Sequence, residues 1–136
     1  MNRIEKKIMW NIKFGFTPMM IESSEKVIIL HHIGKYHVSG HVFPLDGSSE
    51  SNCKQCNIKT TKSGKRYIMA DRTKFELDCL QPCEISRETL EAELAICNGL
   101  KKTYTEMRDN GDNVGASIEN EDFYIANIIE YFDTNW

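Results

Sequence analysis

Three observations predict an α+β fold. Up to about residue 80 the chain reads as short strand-like runs separated by turn signals, and after Cys83 the apolar spacing changes from two to three and four. No run of strands alternates with helices, which leaves no room for parallel crossover units. The expected architecture is an antiparallel sheet of about five or six strands, covered on one face by one long and one shorter C-terminal helix. At 136 residues the chain suits a single domain over 1–136, with a β-rich part over 1–83 and an acidic helical part over 84–136.

The first element expected is a strand. Ile8, Trp10, Ile12, Phe14 and Phe16 alternate with Lys7, Met9, Asn11, Lys13 and Gly15, the period-two pattern of a half-buried strand. Thr17-Pro18 ends it. Met19 to Ile21 extend the sheet or cover its edge, and residues 22–26 form a polar turn. Val27 to Ile33 and Tyr36 to Phe43 then read as a hairpin closed by a two-residue turn at Gly34-Lys35. That register sets His32 opposite His37 and Ile28 opposite His41, with His31 on the other face. The segment Pro44 to Asn52 is a surface loop by composition.

Between Cys56 and Cys79, strands are expected over Ile58 to Thr61, Arg66 to Ala70 and Lys74 to Leu77, joined by turns at Ser63-Gly64 and Asp71-Arg72. Ser86 is a good helix N-cap, and Leu90, Leu94, Cys97, Leu100, Tyr104 and Met107 recur at helical spacing behind it. The run Asp109 to Gly115 stops that helix. Asn120 is the expected cap of a second helix, with a buried strand over 123–129 as the competing reading.

The charge is divided unevenly. Residues 1–75 carry thirteen bases against six acids, and residues 76–136 carry four bases against fourteen acids, so +7 precedes −10. The first part could meet a polyanion; the second would repel one. The charged start from Met1 to Lys7 interrupts any signal-like apolar run, and no apolar stretch approaches the ~20 residues that span a bilayer. A cytoplasmic location without a membrane partner is therefore expected.

Three constellations could carry chemistry. Cys53-x2-Cys56 and Cys79-x3-Cys83 enclose a span of twenty-two residues, close to zinc-ribbon spacing but with one extra residue in the second pair and a span longer than the usual ~15–20. One structural zinc on Cys53, Cys56, Cys79 and Cys83 is the cofactor this implies; reduced core thiols are the alternative, and Cys97 is read as a core residue. A mixed set of His37 and His41 with Cys53 and Cys56 is disfavoured, since residues four apart on a strand lie ~13 Å apart.

The second constellation is His32 with His37, which could share general acid and base duties on a phosphodiester. The third is the basic hairpin itself. Lys59, Lys62, Lys65, Arg66, Arg72 and Lys74, interleaved with Tyr67 and Phe75, could track phosphates while an aromatic ring stacks on a base. Helical acids such as Glu84, Glu88, Glu91 and Glu93 read as a solvated face or a docking surface for a basic partner. With no paired carboxylates for hydrolysis, phosphate cradle or nucleophile elbow, the leading expectation is a non-enzymatic accessory or inhibitor protein that docks through charged surfaces on a protein or nucleoprotein. A histidine-dependent nuclease or phosphoesterase is the second expectation. Direct nucleic-acid binding through a zinc-stabilised hairpin is the third.

Overall fold

The computed structural model describes residues 1–49 and 53–136; the end of the expected loop over 44–52 lies outside the described residues. The fold is α+β, with a five-stranded antiparallel sheet, a three-stranded sheet and three helices. The chain forms two compact units, one of residues 1–8 and 17–84, the other of residues 9–16 and 85–136.

The N-terminal segment is a helix, α1 (Arg3–Lys13), where the alternation of large side chains predicts a strand. Its ends explain the difference. Asn2 Oδ1 accepts a hydrogen bond from the Glu5 amide at 2.8 Å while Glu5 Oε1 accepts from the Asn2 amide at 3.4 Å, a reciprocal cap that satisfies two amides of the first turn. At the other end Gly15 takes φ 85°, and the amides of Gly15 and Phe16 donate to the carbonyls of Ile12 and Asn11. This paired closure needs a left-handed residue after the helix, which glycine supplies without a Cβ penalty. Ile8 and Ile12, four apart, are buried, whereas Trp10, Phe14 and Phe16 remain more than a third exposed. Met9 and Asn11 are buried beside Ile8 and Ile12, so burial follows one face of a helix and cuts across the alternation.

The first unit holds both sheets. The larger one runs in the order β4-β3-β2-β1-β8, built from β1 (Met19–Glu22), β2 (Lys26–Ile33), β3 (His37–Pro44), β4 (Lys54–Asn57) and β8 (Gln81–Pro82). The smaller consists of β5 (Lys59–Thr60), β6 (Arg66–Ala70) and β7 (Thr73–Glu76), within a residue or two of the predicted strands. Ile21, Ile28, Leu30, Val38, Val42 and Cys56 from the larger sheet form one buried cluster with Ile68, Ala70 and Phe75 from the smaller. The alternation of β6 and β7 therefore serves a core face, while Lys59, Tyr67, Met69, Lys74 and Glu76 occupy the register positions of the outer face.

The β2–β3 pairing departs from the expected register. Ile28 faces Val42, Ile29 faces His41 and Leu30 faces Gly40; a bulge at His31 then shifts the ladder, so that His32 faces Ser39 and Ile33 faces Val38. The inserted residue changes which histidines meet. Gly40 tolerates the close approach of β2, because a Cβ there would collide with the Ile29 carbonyl oxygen and stand 2.9 Å from Leu30 Cδ2.

The second unit pairs two long helices, α2 (Arg87–Asp109) and α3 (Gly115–Asn135), with the last part of α1. The Ser86 hydroxyl caps α2 by accepting from the Thr89 amide at 3.1 Å, as its position predicts. Helix α3 begins at Gly115, five residues before the predicted cap Asn120, and residues 123–129 are helical throughout. Along α2, Leu90 and Cys97 are buried as expected; Leu100 and Met107 are exposed, and the buried stripe passes instead through Glu93.

Candidate functional site

The histidine face is assembled by the bulge in β2. Directly paired residues share a face, so Ile29 and His41 lie together, as do His32 and Ser39, while His31 follows Ile29 at the strand repeat. The consequence is that His31 and His32, although adjacent in sequence, stand on the same side of the sheet. All four histidines share that side, where the sequence register placed three and left His31 apart. They meet in two pairs: the His31 and His41 rings lie 6.0 Å apart between centroids, and the His32 and His37 rings 5.3 Å apart.

Cys53 joins the first pair. Gly40 faces Lys54 in the β3–β4 ladder, so the next position along brings Cys53 beside His41. One ligand atom each from His31, His41 and Cys53 lies within 4.8 Å of the other two. The two imidazoles are half-buried and the thiol is exposed. Burial, together with the neighbouring charges of His32 and Lys7, holds the His31 imidazole below its ordinary pKa.

The four-cysteine zinc set looks different from its sequence expectation. Cys53 and Cys56 flank and occupy β4, an extended segment that sends residues three apart to opposite faces, so they form no ligand knuckle. Cys53 is exposed, whereas Cys56 faces Val38 in the core, where burial pushes its thiol pKa up. Cys79 is exposed in a single 3-10 turn over Leu77–Cys79. Cys83 is buried beyond β8, and burial pushes its thiol up to about 12. Among the described residues, the four sulfurs do not gather at one point.

The basic hairpin forms as a surface. Lys59, Lys62, Lys65, Arg66, Arg72 and Lys74 are all exposed, and none makes an ion pair among the described residues. Of the two acids within the hairpin, Asp71 is taken up elsewhere, with its carboxylate 3.5 Å from Lys54 Nζ and its carbonyl accepting from Lys26 Nζ at 2.8 Å, and Glu76 is exposed opposite Tyr67. Lys74 Nζ sits 4.7 Å from the centre of the Tyr67 ring, on the outer face shared with Lys59 and Met69.

No family model, curated protein or solved structure matches the chain.

Two features of the second unit escape the sequence reading. Trp10, Phe14, Phe123 and Tyr124 form a partly exposed aromatic cluster, with Trp10 and Phe14 4.8 Å apart and Phe14 and Tyr124 5.3 Å apart between ring centroids. Helical spacing of Trp10 and Phe14 was the available signal. Glu93 is not part of a solvated face: it is 9% exposed and accepts a hydrogen bond from Lys13 Nζ. Glu121, 8% exposed on α3, belongs to the same group with Cys97. A glutamate in register with Leu90 and Cys97 was its signal.

Proposed function

We propose that the protein is a non-enzymatic accessory or inhibitor protein that docks on an anionic surface of a macromolecular partner through its three-stranded sheet. The observation that supports this most is the set of six exposed hairpin cations without an ion pair among the described residues, beside a half-buried Tyr67. Unneutralised cations attract polyanions over a Debye length, and an aromatic set among them supplies contact area at low entropic cost. The exposed aromatic cluster of the second unit adds side chains of the kind that anchor protein interfaces. Among the described residues no helix is long and apolar enough to cross a membrane.

The test uses Lys65→Glu with Arg66→Glu, two exposed positions outside the core. Heparin and a labelled single-stranded oligonucleotide serve as polyanion probes. The wild-type protein is expected to bind with strong salt dependence, and the double variant to elute from heparin at lower salt with a flatter slope. Unchanged elution and slope would remove this surface as the interface. Tight oligonucleotide binding at moderate salt would shift the reading from a docking protein to a direct nucleic-acid binder.

A second reading rests on the 5.3 Å approach of His32 and His37, which suits paired acid and base work on a phosphodiester. RNA and DNA incubated with the protein in EDTA decide it: cleavage lost in His37→Ala supports the pair, and cleavage that survives that change excludes it.

A further inference from the structure

We propose that His31, His41 and Cys53 bind a borderline transition-metal ion, Zn2+ foremost, with three protein ligands and a fourth position open to water or an external ligand. The site lies across three adjacent strands and is separate from the outer face of the smaller sheet. His41 comes from the central strand β3, His31 from the bulge in β2, and Cys53 from the residue that leads into β4. The β2–β3 and β3–β4 ladders bring these three neighbouring segments together, which removes part of the ordering cost of gathering the ligands.

The geometry is close to what an ion requires. With metal–nitrogen distances of ~2.0–2.1 Å and metal–sulfur of ~2.3 Å, donors around a tetrahedral centre lie about 3.4–3.6 Å apart. The three donors already lie within 4.8 Å of one another, so small side-chain rotations close the set. Rings 6.0 Å apart and inclined at 45° can direct a nitrogen each at a common point.

The ligand chemistry selects the ion. Two imidazoles and a thiolate favour Zn2+, Co2+ or copper over Mg2+ or Ca2+, which need oxygen donors that this group lacks. The thiolate also offsets the positive charge that Lys7 contributes near His31. Cys53 is exposed, so the ion has an entry path, and three protein ligands leave the open position typical of exchangeable or reactive sites.

The experiment titrates the metal-stripped, reduced 136-residue chain with Co2+. One ion per chain is expected, with a thiolate-to-cobalt charge-transfer band and the intense visible bands of a tetrahedral site. Cys53→Ser should abolish the charge-transfer band and His41→Asn should weaken binding, while Cys79→Ser, at the other exposed thiol, leaves both unchanged. A second measurement needs no variant: Zn2+ should slow alkylation of Cys53, mapped by mass spectrometry, and leave Cys79 unaffected. No cobalt band in the wild-type protein, a band that survives Cys53→Ser or vanishes in Cys79→Ser, or equal alkylation of Cys53 with and without Zn2+ would overturn the assignment.

Discussion

Lys13 Nζ lies 2.9 Å from Glu93 Oε1, joining the end of α1 to the buried face of α2 within the second unit. Their side chains are 23% and 11% exposed, so the pair sits well inside the range where desolvation competes with attraction. Glu121 and Cys97 complete the group, and both act electrostatically on Lys13. Lys13 thus pairs with one buried glutamate, Glu93, and lies within electrostatic reach of a second, Glu121. Lys13→Met should destabilise the unit by about 2–3 kcal/mol, more than Glu93→Leu, because it removes the cation near two acids, where the other change unpairs one base. The double variant Lys13→Met, Glu93→Leu should recover part of the loss. Urea unfolding followed by tryptophan fluorescence measures this directly, since Trp10 and Trp136 both belong to this unit.

The same group predicts alkaline instability. Burial pushes the Cys97 thiol up to about 11, with the Glu121 hydrogen bond acting in the same direction against the pull of Lys13. Burial alone would lower Lys13, but its hydrogen bond to Glu93 and the surrounding negative charges raise it overall. Both groups hold their protons more tightly when folded. Once the pH passes the ordinary thiol value of 9.0, the unfolded chain loses the Cys97 proton first, and stability falls until the folded thiol ionises near 11. The slope for one group reaches about 1.4 kcal/mol per pH unit, and Lys13 prolongs the decline above its own ordinary value of 10.5. Cys97→Ala should lower stability at neutral pH yet flatten the profile between 9 and 11. An equally steep profile in that variant would assign the decline to other groups.

How much of this was legible in the sequence varies with the kind of signal. Ser86 announced α2 because a cap is local, and the turns at Ser63-Gly64 and Asp71-Arg72 announced the strands of the smaller sheet for the same reason; that Ile68 and Ala70 rather than Tyr67 and Met69 face the core depends on packing against the larger sheet, which no local signal carries. For α1 two local signals competed, and the alternation of Ile8, Trp10 and Ile12 obscured the Asn2–Glu5 cap and the Gly15 stop. The histidine site was not legible, because it depends on one inserted residue at His31 that no period reveals. Cys53 and Cys56 suggested a knuckle by spacing alone; the extended conformation of β4, set by pairing with β3, decides otherwise.

The turn between β6 and β7 carries avoidable backbone strain. Asp71 and Arg72 take φ 47° and 61°, the left-handed pair of a two-residue hairpin turn that favours Asp-Gly. Arginine at the second position costs about 1 kcal/mol that glycine would not. Arg72→Gly should therefore raise the stability of the first unit by roughly 0.5–1 kcal/mol, read as slower amide exchange along β6 and β7. The same change removes one of the hairpin's six exposed cations, so heparin elution should move to slightly lower salt. Gain of stability with loss of polyanion binding is the signature of a residue kept at that turn for its charge.

Gly40 separates the demands of the sheet from those of the metal ligands. It faces Leu30 in the β2–β3 ladder, one residue before His41, and a Cβ there would press on the Ile29 carbonyl oxygen and on Leu30 Cδ2. The carbonyl belongs to a paired strand and cannot rotate aside, so Gly40→Ala must force β2 and β3 apart locally, at a cost of about 1–3 kcal/mol. Displacement at that point alters the spacing between His41 on β3 and His31 on β2 without removing either ligand. Co2+ affinity should fall by roughly tenfold or more, since metal sites are sensitive to how their ligands are held. Heparin binding should not change, because the hairpin cations lie on the smaller sheet. A Gly40→Ala protein that binds Co2+ as the wild type does would mean that the spacing of His31 and His41 does not govern metal affinity.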